Sequence, residues 1–365
     1  MTPMTPLTRF LAVWLLALGA ALPSHAAAPA PVRVAVEPFV VLPADVRHPE
    51  GLASNPDNGE LYVGTFDARM PESARNNVLL RYSADGRLLA RKRFGATPLT
   101  GLAVADGKLY VLNFGASTLQ RLDTAFDEAT RVEGVLTFTT LTPAMTDARR
   151  VVNPDGSEDR VVFGSSGFAA PNGMVFDRAR NLYVSDSFQG AVYRIERATT
   201  CAPCVAVPIS RDPLLATAGA LPFGANGLAF GDDERTLYVN NAGDGRLLRL
   251  PLQPAGPLEI VAESLPGADG LQFHQGLLWV VANQADVVLG LDERGLTRVR
   301  AGEFLGIDDH SAPRGLLFPA STAVQGEWMV VTNLALPLTP AVGDEWEEQV
   351  TRWNLVRFRL PQPAR

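Results

Sequence analysis

The chain has 365 residues, with 32 Lys and Arg against 39 Asp and Glu, a formal charge of −7 and two Cys. Hydrophobic residues make up 47% and charged residues 19%, which describes a globular chain and excludes a disordered one. The acidic balance argues against a nucleic-acid binder, which needs a concentrated basic face, and 32 Gly with 28 Pro point to many turns and few long helices.

Residues 1–26 read as a secretory signal. Arg9 precedes an apolar run from Phe10 to Leu22, and the small-residue stretch Ser24-His25-Ala26-Ala27-Ala28 follows. The run falls short of the roughly 20 residues a spanning helix needs; an uncleaved anchor is the alternative. No other segment is long and apolar enough to span a bilayer, so no membrane span is expected after cleavage. The expected destination is a periplasm or the exterior. Losing Arg9 with the signal makes the mature chain one charge more negative. In such an oxidising compartment Cys201-Ala-Pro-Cys204 is expected to form a local disulfide. A redox-active pair would open a helix after its first Cys, whereas Val205-Ala-Val-Pro reads as a strand. No His follows Cys204, which excludes haem attachment.

Internal repetition sets the fold. A segment of the form X-Gly-Leu/Met followed by apolar alternation recurs at Glu50-Gly51-Leu52, Thr100-Gly101-Leu102, Asn172-Gly173-Met174, Asn226-Gly227-Leu228, Asp269-Gly270-Leu271 and Arg314-Gly315-Leu316. A second strand signal follows each: Leu61-Tyr62-Val63, Leu109-Tyr110-Val111, Leu182-Tyr183-Val184, Leu237-Tyr238-Val239, Leu278-Trp279-Val280 and Trp328-Met329-Val330. Turn chemistry such as Asn58-Gly59 and Asp106-Gly107 joins the two, and a third strand comes after. Four short strands in about 45 residues make a propeller blade. The fold class is all-β, a single six-bladed β-propeller over residues 32–362, with two separate β domains as the alternative. The strand Val32–Val41 is expected to close the ring by pairing into the last blade.

The X residues should ring one end of the axis. Shared Gly and apolar residues answer to packing, but Glu50, Asn172, Asn226 and Asp269 do not. Four oxygen-bearing side chains converging there would repel or stay unsatisfied unless something bridges them. A hard cation does so: Ca²⁺ takes about 6 to 8 oxygen ligands. Another divalent cation is open, though Zn²⁺ suits the set less well, because no His or Cys stands at these positions. Two alternatives remain. Asn and Asp before Gly are ordinary turn residues, and the Arg314 guanidinium is placed to hold the carboxylates without a metal.

These segments resemble the SMP-30/gluconolactonase family of six-bladed calcium lactonases, a fold shared in outline with paraoxonases. His48-Pro49-Glu50-Gly51-Leu52 is similar to the family's opening Glu-Gly-Pro segment, Pro171-Asn172-Gly173-Met174 to its third-blade ligand segment, Ala225-Asn226-Gly227-Leu228 to its Ser-Asn-Gly-Leu, and Ala268-Asp269-Gly270-Leu271 to its Pro-Asp-Gly. The resemblance spans about residues 45–320. It implies Glu50, Asn172, Asn226 and Asp269 as metal ligands, with Asp269 also helping to activate water. Leu52 stands where the family has Pro, Ala170 where gluconolactonases often place a substrate-binding Arg, and Arg314 where a small residue is usual. These departures bear on the sugar-lactone substrate more than on the metal.

Three insertions, 66–77, 137–165 and 335–352, fall where strand direction brings them over the ring. Loops over one end of a rigid scaffold commonly carry binding residues. Phe66, Met70, Phe168, Phe223, Trp346 and Trp353 would make that roof apolar, with Thr100, Phe168, Trp346 and Arg314 as pocket residues, although local packing of such aromatics is the commoner use. His310, in Asp308-Asp309-His310-Ser311, is a candidate general base beside Asp269; a surface His bonded to its acidic neighbours is the alternative. The expected activity is calcium-dependent hydrolysis of a small-molecule lactone or ester, one with an apolar substituent suiting the roof better than a bare sugar acid. Phosphotriester hydrolysis uses the same metal geometry, and a non-catalytic binding propeller is the alternative function. No Gly-x-Ser-x-Gly elbow or phosphate-binding loop is present, which excludes serine-esterase and nucleotide chemistry. The oligomeric state is not legible.

Overall fold

The computed structural model describes residues 30–142, 149–161, 168–219, 221–339 and 342–361. The signal segment, positions 143–148 and 162–165 of the 137–165 insertion, and positions 166–167 lie outside the described residues. Six four-stranded antiparallel sheets follow one another as the blades of a β-propeller. Their inner strands are Pro49–Ser54, Leu99–Ala105, Pro171–Phe176, Ala225–Phe230, Ala268–His274 and Pro319–Gln325. Each packs against the inner strand of the next, and the sixth packs against the first.

The expected closing strand divides in two. Glu37–Val41 becomes the outermost strand of blade six, antiparallel to Asn354–Arg359, while Val32–Val34 runs parallel to Thr297–Ala301 as a fifth strand of blade five. At this seam the Arg357 guanidinium lies 4.6 Å from the Phe39 ring and 4.2 Å from the Trp328 ring, and it ion-pairs with Glu37 at 2.8 Å.

One inner strand differs from the sequence reading. Arg314-Gly315-Leu316 is not the start of blade six. Pro313–Gly315 pairs with Phe304–Ile307 in a separate two-stranded ribbon, and the inner strand begins at Pro319. Its register, with Pro319 opposite Asn333 and Thr322 opposite Val331, puts Ala320 at the ring position. The imitation has a physical cause. Gly315 is a glycine because its φ is +74° and a Cβ there would meet the Glu303 carbonyl, a turn requirement unrelated to the ring.

In the first five blades the Gly after the ring residue answers a different demand. All six inner strands slip register at this point, so the ring residue and its successor leave the ladder. The successor's Cα then faces the next blade. A Cβ on Gly173 would lie 2.4 Å from the Asn226 carbonyl oxygen, one on Gly227 2.5 Å from that of Asp269, and one on Gly270 2.5 Å from that of Ala320. Side chains of the second strands satisfy several of these carbonyls: Ser185 Oγ donates to Asn226 O at 2.6 Å, Asn240 Nδ2 to Asp269 O at 2.8 Å, and Thr332 Oγ1 to Glu50 O at 3.2 Å. The last bond closes blade six onto blade one.

Gly173→Ala forces a methyl into backbone that cannot retreat, and an expected loss of about 2–3 kcal/mol follows. Gly134→Ala, with nothing within 4 Å of the added methyl, should stay within about 0.5 kcal/mol. Denaturant unfolding of the two variants checks the contrast.

Candidate metal centre

The register slip frees the ring residues to line the axis. Glu50, Thr100, Asn172, Asn226 and Asp269 are all buried and share one small cavity with Asn283, from the 3₁₀ turn Asn283–Ala285 after the second strand of blade five. The sixth ring residue, Ala320, contributes no polar group. Beneath the ring an axial channel of about 400 Å³ continues between the inner strands, and Glu50, Asn172 and Asn226 line it as well. The ring therefore floors one cavity and roofs the other.

Each polar ring member has a distinct environment. Asn172 Nδ2 donates to Ser187 Oγ at 3.0 Å, and Ser187 Oγ donates in turn to Ala225 O at 2.7 Å. That chain of bonds occupies the amide nitrogen and leaves the Asn172 oxygen free. Thr100 Oγ1 is spent on Pro171 O at 2.9 Å. Asp269 Oδ2 accepts from Asn283 Nδ2 at 3.1 Å. Glu50 Oε2 is buried with no partner.

The electrostatics are unbalanced. Burial pushes the Asp269 carboxyl up to about 7, even though the bonds from Asn283 and Asn226 work the other way. Burial first, and the Asp269 charge second, push Glu50 well above the ordinary carboxylate range. Among the described residues no Lys, Arg or His forms an ion pair with either. Arg314 does not supply the missing charge: it is exposed on the Phe304–Gly315 ribbon, away from the cavity lining. Two buried carboxylates, one of them with an orphaned oxygen, and two neutral amides form a donor set suited to a hard cation through their oxygens. Glu50, Asn172, Asn226 and Asp269 are the residues that would hold it.

The roof is apolar, though built from other residues than some of those expected. Phe66, Leu221, Phe223, Phe318, Leu334, Leu336 and Leu338 wall the cavity. Phe114 and Phe188 back them: Phe66 packs on Phe114 at 5.3 Å between ring centroids, and Phe188 stacks on Phe223 at 5.7 Å. Phe168 forms an outer layer on Phe188 at 5.1 Å, and Trp346 is 54% exposed against Phe304, so neither lines the cavity. Trp353 acts from outside the cavity lining. Its Nε1 and His48 Nδ1 both donate to Leu334 O, each at 3.1 Å, pinning the strap that carries Leu334, Leu336 and Leu338. Burial pushes His48 down to about 4, which keeps it neutral in this role. Arg69 Nη2 ties the first-blade insertion to the same strap through Thr339 O. His310 is exposed on the Asp308–Ser311 turn, where its backbone N–H bonds Asp308, and it does not reach the ring. The free space over the ring is about 40 Å³, room for an ion and a water or two.

No protein-family model and no curated protein sequence matches the chain. Solved structures do. Luciferin-regenerating enzyme aligns at 15% identity over 89% of this chain and 94% of that one, with a TM-score of 0.57. A calcium-binding protein, regucalcin from Agrobacterium tumefaciens, aligns at 16% over 90% and 97%, with a TM-score of 0.56. A gluconolactonase from Xanthomonas campestris aligns at 14% over 87% and 88%, with a TM-score of 0.54. These are six-bladed propellers of the SMP-30/gluconolactonase kind, and the chain shares their architecture. At such identities the likeness carries the fold, and the chemistry has to be argued from the ring.

Asp269 titrates higher in the folded chain than in an unfolded one, up to about 7, so the folded state holds an extra proton on it from about pH 4 to 7, and burial raises Glu50 in the same direction. Stability of cation-free protein therefore falls as pH rises through that window, by up to about 1.4 kcal/mol per pH unit per group. Melting curves in chelator, compared with Asp269→Asn, should show wild type losing ground as pH rises. A constant difference contradicts the imbalance.

Proposed function

We propose that this protein is a divalent-cation-dependent hydrolase of a lactone or ester bearing an apolar substituent, with Ca²⁺ as the favoured ion. The uncompensated pair of buried carboxylates, Glu50 and Asp269, beneath an apolar roof carries the reading. A divalent cation held by Glu50, Asn172, Asn226 and Asp269 would supply a Lewis acid for the substrate carbonyl oxygen. The remaining work falls to the chain's own groups. Asp269, held by the Asn283 amide, takes a proton from the attacking water. The Asn172 amide, its nitrogen occupied by Ser187, presents oxygen to the ring. Phe66, Phe223 and the Leu334–Leu338 strap keep bulk water out and receive the apolar substituent. With 40 Å³ free above the ring, the strap and roof side chains have to yield to admit a substrate.

Export belongs to the same proposal. The signal-like residues 1–26 support it, and so does the disulfide between Cys201 and Cys204, a bond that persists in oxidising compartments.

Calorimetric titration with Ca²⁺ tests the reading. One site is expected in wild type and none in Glu50→Gln/Asp269→Asn, with turnover of model lactones or esters lowered at least about a hundredfold in Asp269→Asn. A wild-type chain that binds no cation overturns the proposal.

A further inference from the structure

Blade five departs from its neighbours at the end of its second strand. The second-strand residue opposite the start of the inner strand is Thr65 in blade one, Asn113 in blade two, Asp186 in blade three, Asn241 in blade four and Asn333 in blade six, so an amide or carboxyl stands there in blades two, three, four and six. Three cap the turn that follows: Asn113 Oδ1 accepts from Ala116 N, Asp186 Oδ1 from Gln189 N and Asn241 Oδ1 from Asp244 N, while Asn333 Oδ1 accepts from Leu317 N ahead of its inner strand. In blade five that position is Ala282, opposite Ala268, and the amide appears one residue later as Asn283. Moved by one position, the Asn283 side chain does no capping. It is 3% exposed, its Nδ2 reaches Asp269 Oδ2 at 3.1 Å, and its Oδ1 is buried without a partner.

Gly267 makes room for this side chain. A Cβ there would sit 1.7 Å from Asn283 Oδ1, and the residue holds a φ of +62°. The fold thus gives up a turn cap and leaves an oxygen unsatisfied, an arrangement that local stability does not explain. What it gains is a fixed Asp269, with one carboxylate oxygen occupied from outside the ring.

We propose that Asn283, seated by Gly267, is a positioning residue that holds Asp269 for the cation. The inference rests on the cation reading above and deepens it. Partners outside the ligand set typically change metal affinity about 10- to 100-fold when removed.

The test is titration with Ca²⁺, and with Tb³⁺ read by luminescence, on wild type, Asn283→Ala and Ala282→Asn/Asn283→Ala, with melting temperatures in chelator. Asn283→Ala should weaken both ions at least about tenfold while the cation-free melting temperature holds or rises. Ala282→Asn/Asn283→Ala returns the amide to the capping position and should not restore affinity. Gly267→Ala should weaken binding too, and Gly267→Ala/Asn283→Ala should bind no more weakly than Asn283→Ala, since both act through one side chain. Wild-type affinity in Asn283→Ala, or full recovery in Ala282→Asn/Asn283→Ala, overturns the positioning role and leaves the cation reading intact. No binding by wild type overturns both.

Discussion

Around the axis, five of the six seams leave no space for a Cβ between neighbouring backbones. The Asn226 carbonyl occupies the place a side chain on Gly173 would need, and the same relation links Gly227 to Asp269 and Gly270 to Ala320. This close approach sets the width of the ring. The register slip beside it turns each ring side chain toward the axis and brings Glu50 and Asp269 into one buried space. Charge imbalance at the centre is thus a consequence of packing at the seams.

Burial of two carboxylates without a basic partner opposes folding at neutral pH. The surrounding structure does little to relieve Glu50, whose Oε2 has no partner, but it holds Asp269 from two sides with amides. Such asymmetry would make no sense for two equivalent structural acids. It fits a site in which both carboxylates would hold a cation and Asp269 is also kept in place for chemistry. The roof follows the same logic, since Phe66, Phe223 and a leucine-bearing strap pinned by His48 and Trp353 exclude water where charge would develop.

Most of the architecture was legible because the physical demands are local and repeated. Close approach selects Gly after the ring residue, and buried second strands select Leu-Tyr-Val. Blade six was misplaced for the converse reason. Its own segment, Ala320-Ser321-Thr322, lacks the Gly, while Gly315 a few residues earlier satisfies a turn and copies the pattern. The polar ring members could be named since each precedes that Gly. Asn283 escaped notice because it lies outside the repeat, displaced by one residue from a capping position. Loop residues were harder still. Spacing cannot tell which side of a loop faces inward, so His310 and Trp346 are exposed while Phe114 and Phe188, immediately beyond second strands, build the backing of the roof.

The central claim is that the ring holds one hard cation. Anomalous diffraction from crystals soaked in a calcium-site lanthanide such as Tb³⁺ tests it most directly. The account predicts a single strong peak on the propeller axis, at about 2.3–2.6 Å from oxygens of Glu50, Asn172, Asn226 and Asp269. No peak on the axis at saturating ion, with the carboxylates still side by side, would contradict it.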